Sequence, residues 1–269
     1  MARPIDPTER AHLLDASGYS PPIHRYAPSP SLADAVRRHW IPVWSLPPGR
    51  TTTQRVLQYP VCLIVIEVGY AILVGPTTGL STRELTGTGW AVGTMLQPAA
   101  GFTLLGRPVG EVTDSAVPLE ALPGFDGAGL TAAVRAAMDD HAAAIGAIET
   151  ALTPLLPVDE EGMLVNAIVE YVEGDSSVQR VGQVCEKFAV SERTLQRLLA
   201  RRVGLTPKWL VQRRRLHEVA ERLAGPEPPD LARVAVELGY SDQAHLTRDF
   251  RTVTGLTPAA FVSEPRPSR

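Results

Sequence analysis

The sequence predicts an α+β protein of two domains: a small antiparallel β-barrel-like domain with helices over residues 1–157, and an all-α domain over 158–269. Three observations predict it. Between Trp40 and Leu119 short β-branched and aliphatic runs alternate with Gly, Pro and Thr, whereas beyond Met163 apolar residues recur at helical spacing. Charge changes as well: the net charge of -3 hides 14 Lys/Arg against 9 Asp/Glu from Val178 to Ser263, and 10 against 19 from Met1 to Ser177. Finally, the last third repeats one pattern, a short helix, a turn and a second helix that starts on a capping residue, once at Ser191 and again at Asp242.

Composition excludes several classes. With 44% hydrophobic and 20% charged residues the chain is that of an ordinary globular protein. Its longest apolar stretches, such as Val61–Ile66, are too short to span a bilayer, so no membrane partner is expected. Residues Met1 to Arg10 lack the apolar core of a signal peptide, and Asp6-Pro7-Thr8-Glu9 reads instead as a helix start. Two cysteines far apart in sequence, Cys62 and Cys185, suit a reducing cytoplasm, where this protein is expected to work.

Taken in order, residues up to about Pro22 read as a flexible or weakly helical arm, and Ser31–Arg38 as a short capped helix. Val61–Ile66, Tyr70–Val74 and Gly101–Leu105 read as strands separated by turns such as Gly75–Gly79 and Gly87–Gly89. Gly129 to Leu156 is Ala-rich and should be mostly helical. There Val134, Met138, His141, Ile145, Ile148, Leu152 and Leu155 follow a heptad spacing. Two readings fit that seam: packing on the barrel, or a homodimer contact through 130–155 with His141, Asp139 and Asp140 beside it. Pro154 and Pro157 close the segment.

In the basic module, Met163–Glu173 predicts a first helix with Leu164, Val165, Ile168 and Val172 on one face. Val184, Phe188, Leu195, Leu198 and Leu199 are spaced to fill the angle of a first helix-turn-helix, with Cys185 as a small packed residue. Thr206-Pro207 starts a long connecting helix through Ala224, with Trp209, Leu210, Leu216, Val219, Ala220 and Leu223 as its buried stripe. Asp230 caps the next helix, Gly239 ends it in the left-handed conformation, and Tyr240, Leu246, Phe250 and Phe261 complete a second core.

These residues carry a specific resemblance. Ser191-x-x-x-Leu195-Gln-Arg-Leu198, Gly204-Leu-Thr-Pro207, the stretch Gly239 to Phe250, and Gly255-Leu-Thr-Pro258 closely resemble the signature of AraC/XylS-type bacterial transcription regulators, over about Met163 to Val262. Ala189 departs from it, standing where the family's first turn often has Gly. The front half more weakly resembles the small barrel-like sensor domains fused to such regulators, through Trp40, Gly75-Pro-Thr-Thr78, Gly89-x-x-Val-Gly93, Pro98-x-x-Gly101 and Leu105 to Asp114.

The resemblance implies double-stranded promoter DNA as partner, with RNA polymerase a further candidate. Positions facing away from Leu195 and Leu198, namely Arg193, Gln196 and Arg197, are the expected readers of the first helix, since Arg suits guanine and Gln suits adenine. The matching positions of the second are Gln243, Ala244, His245, Thr247 and Arg248; His245 is also what local packing would use. Arg180, Arg201, Arg202, Lys208 and Arg251 are candidate phosphate contacts, and equally ordinary solvated cations.

In the front half, Trp40, Trp44, Tyr59, Tyr70, Trp90 and Phe102 are candidates for lining a small-molecule effector pocket, with Arg55, Gln58 and Glu67 as orienting groups; a sheet core needs the same residues. No metal-ligand spacing, Cys-x-x-Cys, Gly-x-Ser-x-Gly or phosphate loop occurs, so neither cofactor nor enzyme activity is expected. Three readings remain: an effector-controlled regulator, an alkyl-transfer enzyme fused to a DNA-binding module, and a ligand-independent regulator whose front half serves dimerisation or partner contact.

Overall fold

Residues 12–13, 19, 21–57, 59–223, 225 and 229–263 are described in the computed structural model, the first two by their backbone alone. The expected helix start at Asp6–Glu9, and Gln58, lie outside them. The strands are β1 (His12–Leu13), β2 (Ile23–Tyr26), β3 (Val36–Ser45), β4 (Thr51–Val56), β5 (Leu63–Glu67), β6 (Ala71–Val74), β7 (Ser81–Thr86), β8 (Thr88–Leu96) and β9 (Ala116–Pro118). Every pairing is antiparallel, as expected. The barrel, however, is not closed. The strands form a six-stranded sheet in the order β2-β3-β8-β5-β6-β9 and a separate three-stranded sheet, β1-β4-β7. The short β9 ends the larger sheet on Pro118, which has no N–H to offer a further strand.

Side-chain alternation gives the larger sheet two different faces. Ile41, Ile64, Ile66, Leu73, Val92 and Leu96 point one way into the main core. Arg38, Trp40, Pro42 and Trp44 of β3, with Leu63, Val65 and Glu67 of β5, point the other way, towards the smaller sheet.

Three local expectations are corrected. Ser31–Arg38 is not a helix: a single 3-10 turn at Pro30–Leu32 leads into β3, whose ladder with β2 and β8 outweighs the weak helical pattern. Gly101–Leu105 is not a strand but helix α1 (Ala100–Leu105), ended by Gly106 at φ 65. The seam of 129–156 is two helices, α2 (Gly127–Ala136) and α3 (His141–Leu152), because Asp140 turns its carboxylate back to accept from the N–H groups of Ala142 and Ala143. Val134, Ile145, Ile148, Leu152 and Leu155 are buried under the sheet, while Met138 and His141 sit half-exposed at the break. The apolar positions meant for a homodimer seam are thus already inside the chain.

The helical region runs α4 (Glu160–Gly174), α5 (Val181–Phe188), α6 (Glu192–Arg202), α7 (Pro207–Leu223), α8 (Leu231–Glu237), α9 (Gln243–Thr254) and α10 (Pro258–Ser263). The expected caps are present: Ser191 Oγ accepts from the Thr194 N–H, Asp230 from Ala232, Asp242 from His245, and Thr206 Oγ1 from Trp209. Gly239 ends α8 at φ 73, whereas Ala189 takes φ 51 after α5, a left-handed conformation that glycine would adopt without steric cost. Val184, Leu195, Leu198 and Leu199 fill the angle of the first pair, α5–α6, together with Val165, Ile168 and Val172 of α4. Leu216, Val219, Ala220, Val234, Leu246 and Phe250 do the same for the second pair, α8–α9, against the far end of α7.

Each of these helical cores takes in a residue from the sheet region: Ala99 enters the first and Leu57 the second, both buried. Polar contacts add to this seat. Asn166 receives the Ala99 N–H and donates to the Asp34 carbonyl, and Arg37 pairs with Glu173 at 2.9 Å.

Candidate nucleic-acid interface

On α6 the apolar residues Leu195, Leu198 and Leu199 are buried, and helical spacing turns Arg193, Gln196 and Arg197 outward, all exposed. Gln196 holds Glu192 at 3.2 Å, whereas among the described residues the guanidinium groups of Arg193 and Arg197 make no ion pair or hydrogen bond. On α9, Leu246 and Phe250 face inward, Gln243, Ala244, His245 and Arg248 are exposed, and Thr247 is half-buried. His245 packs its ring edge-on to Tyr240 and meets Ser241 Oγ through Nδ1 at 3.1 Å, the local use that its sequence position also allowed. The Asp242 carboxyl is held below the usual carboxylate range, mainly by the His245 N–H and also by the positive field of Arg248. It therefore stays ionised as the cap of α9.

Both helices thus offer cations and amides to solvent from capped N-terminal turns. The two pairs are joined by α7, whose 17 residues span about 25 Å at the usual helical rise of about 1.5 Å per residue. Arg180, Lys208 and Arg251 are exposed near these helices.

Arg202 is corrected. It is the position one further turn along from Leu195, Leu198 and Leu199, so the helix points it inward, where its side chain is only 4% exposed. There it meets Asp159 at 2.6 Å and Glu161 at 2.7 Å, and cannot reach a phosphate. Its neighbour Arg201 remains half-exposed but is drawn the same way, lying 4.6 Å over the ring of Phe102 and 3.4 Å from Glu161. Phe102 is therefore a platform for two guanidiniums rather than a pocket wall. Trp90 also falls outside the pocket, on the core face of β8.

Trp40, Trp44, Tyr59 and Tyr70 do come together. They line a cavity of about 490 Å³ between the two sheets, with Glu67 among its polar groups. Glu67 accepts from Arg83 at 2.7 Å and from the Tyr70 hydroxyl. Burial, with the Glu67 carboxylate beside it, pushes that hydroxyl's pKa well up. Arg55 does not line the cavity.

Sequence reasoning missed how α7 is seated. Arg213 is buried, donates to the Gly79 carbonyl at 2.8 Å and stacks over Trp209, whose indole N–H reaches the Thr78 carbonyl at 3.4 Å. The stretch Gly75–Gly79, whose composition reads as a turn, is thus a dock for the connecting helix. Next along, His217 stacks on Tyr59 with centroids 4.7 Å apart and planes 21° from parallel. This stack stands in a second cavity of about 510 Å³ between the two regions, and Arg38, Tyr59 and Met95 line both cavities. An Arg at helical spacing inside an apolar stripe, as at Arg213, is the one signal that could have flagged the docked face.

Neither cysteine is activated. Burial pushes the Cys62 thiol up to about 12, and partial burial together with Glu192 raises that of Cys185. In the folded protein at neutral pH, Cys62 is expected to resist iodoacetamide and to react only after denaturation, as read by mass spectrometry. Prompt labelling of the native protein would restore the alkyl-transfer reading.

Two family models match the chain, one described as "Helix-turn-helix domain" over residues 184–264 and one as "Domain of unknown function (DUF6597)" over residues 24–118. Among solved structures, the C-terminal domain of AraT, a response regulator from Geobacillus stearothermophilus, matches at 22% identity and a TM-score of 0.35, over 39% of this chain and 88% of that one. ToxT from Vibrio cholerae O395 matches at 11% identity and a TM-score of 0.38, over 91% and 97%. Unsaturated fatty acid bound wild-type ToxT from Vibrio cholerae strain SCE256 matches at 8% identity and a TM-score of 0.39, over 96% of each. No curated protein matches the chain.

Proposed function

We propose, from the premise that this chain carries an AraC-type helix-turn-helix module behind a separate N-terminal domain, that it is a sequence-specific DNA-binding transcription regulator controlled by a small molecule. The observation that carries the DNA-binding part is the paired display of Arg193, Gln196 and Arg197 on α6 and of Gln243 and Arg248 on α9. Each set projects from a capped helix whose opposite face is locked in a core. Arg offers paired donors to guanine and Gln a donor–acceptor pair to adenine, while Arg180, Lys208 and Arg251 are suited to phosphates. Entry into successive major grooves on one side of the duplex requires the N-terminal turns of α6 and α9 to stand about 34 Å apart, a separation that the 17-residue α7 between the two pairs has to set.

Control by an effector is supported by the open cavity between the sheets and by its shared wall with the inter-region cavity. Tyr59 belongs to both and stacks on His217 of α7. A ligand that prefers one position of Tyr59 therefore biases the seat of the helix that spaces the two reading heads. A side-chain-filled sheet interior would have favoured the ligand-independent reading instead.

Genome-wide binding of the protein tests the reading, followed by shift assays on the recovered sites across a salt series. Discrete sites bound far more tightly than random duplex, with log affinity falling linearly in log salt, are expected. Equal affinity for every sequence would overturn it.

A further inference from the structure

The two helix pairs have separate interiors. Leu210 and Val211 of α7 belong to the core of the first pair, and Leu216, Val219 and Ala220 to that of the second. Between them stand Arg213, Arg214 and Arg215, so the apolar stripe of α7 is broken where one core ends and the other begins. Each pair is a packed unit of its own, and polar contacts hold the joint between them.

Gln179, in the segment that leads into α5, makes that joint. Its Nε2 donates to the Glu237 carbonyl in the last turn of α8 at 3.0 Å. Among the described residues no other hydrogen bond or ion pair runs directly from the first pair to the second. The base of this latch is firm. The Val178 carbonyl accepts from Arg214 at 3.0 Å and the Gln179 carbonyl from Arg215, both on α7. Gln183 Oε1 accepts from the backbone N–H groups of Gln179 and Arg180, each at 2.9 Å. The far side is tied down as well: the Glu237 carboxylate accepts from Arg222, and Arg222 shares Glu218 with Arg214. Gly239 makes room for the latch, because a Cβ at that position would lie 2.7 Å from Gln179 Oε1.

A joint of this kind bears on DNA through geometry alone. One base pair added between two contacted segments carries the second along by about 3.4 Å and round by about 34°. A direct hydrogen bond between the reading heads cannot follow such a displacement without breaking. We propose that Gln179 is a positioning residue that sets which spacing of two DNA segments the protein accepts, without touching DNA itself. This rests on the reading of the chain as a DNA-binding regulator. With the latch gone, the outward residues of α6 and α9 stay as they were, and the pairs can turn about the middle of α7. An operator of native spacing suits the locked arrangement, whereas a mis-spaced one needs the unlocked arrangement and gains from its release.

Footprinting on an operator recovered from the genome locates the two protected segments, and one base pair is then inserted or removed between them. In the full chain, Gln179→Ala should bind the native spacing within about twofold of the unaltered protein. It should bind the altered spacing about threefold to tenfold more tightly than the unaltered protein does, the worth of one side-chain hydrogen bond. Gln179→Met keeps the length, lacks the donor and should behave alike; it decides the matter if thermal melts show Gln179→Ala unfolded. A residue with a merely structural role would weaken binding at both spacings equally, and that result would overturn the proposal. So would unchanged affinity at both spacings, or a footprint of one segment only. Specific binding whose spacing penalty ignores both variants sinks the role of Gln179 and spares the regulator; absence of any preferred site sinks the regulator and that role with it.

Discussion

Phe250→Ala is expected to lower the unfolding free energy by about 3–5 kcal/mol, the range for emptying a fully buried aromatic site. Phe250 is wholly inaccessible and meets Phe261 edge-on at 5.5 Å. Around it stand Leu216 and Val219 of α7, Val234 of α8 and Leu246 of α9. These residues share one small core, so little neighbouring material can collapse into the space. The same core sets the angle of α9 against α7, so specific DNA binding should also fail at temperatures where the sheet region still melts normally. Denaturant titration and a shift assay on one preparation check both halves. A loss smaller than about 1 kcal/mol would mean that this core is far looser than its burial implies.

The paired variant Arg197→Ala with Arg248→Ala should leave stability nearly unchanged and weaken specific binding severely. Each residue, if it reads a base, is worth about 1–3 kcal/mol, and because they lie on different recognition helices the losses should add to about 2–6 kcal/mol. Both side chains are exposed, so the fold is not asked to absorb the change. Salt-controlled shift assays on a recovered operator decide the matter. Unchanged affinity at constant salt would remove these residues from the interface. A uniform loss across all sequences would make them phosphate contacts instead.

How much of this was legible depended on how local the signal was. Caps are written in two or three neighbouring residues, so Ser191, Asp230 and Asp242 could be read directly and the helices they start were placed well. The inward faces of α4, α6 and α9 followed from period alone. Strand pairing is not local, and there the reading erred. Ser31–Arg38 looks helical until β2 and β8 are set on either side of the chain that follows it. Gly101–Leu105 looks like a strand because it is a short aliphatic run between Gly and Pro separators, but Gly101 is small because the helix there passes Cys62, whose Sγ lies 2.5 Å from where a Cβ would be. The heptad from Val134 to Leu155 packs inward, one of the two readings its spacing allows, but a seven-residue period carries no sign of the break at Asp140, which the capping of α3 imposes.

Among site residues, exposure on α6 and α9 could be inferred from the apolar positions opposite. The fate of Arg202 could not be inferred from type, since an arginine in a basic helix invites the reading of a phosphate contact; only its spacing from Leu195 and Leu198 betrayed it. Trp40 and Trp44 share a face because they are four residues apart on β3, and the connections before β5 and β6 bring Tyr59 and Tyr70 to the same cavity, whereas Trp90 has the wrong parity and Phe102 sits on a helix. The dock formed by Gly75–Gly79 depends on a partner more than 130 residues away and left no trace in its own composition.

Leu57 and Ala99 give the molecule a property that neither half has alone. Severing the chain ahead of α4 would pull one plug from each helical core, so the DNA-reading half is not a detachable head. Its solidity is partly borrowed from the half that holds the cavity. Whatever loosens that loan alters how firmly the protein stands and how it grips a duplex in the same stroke.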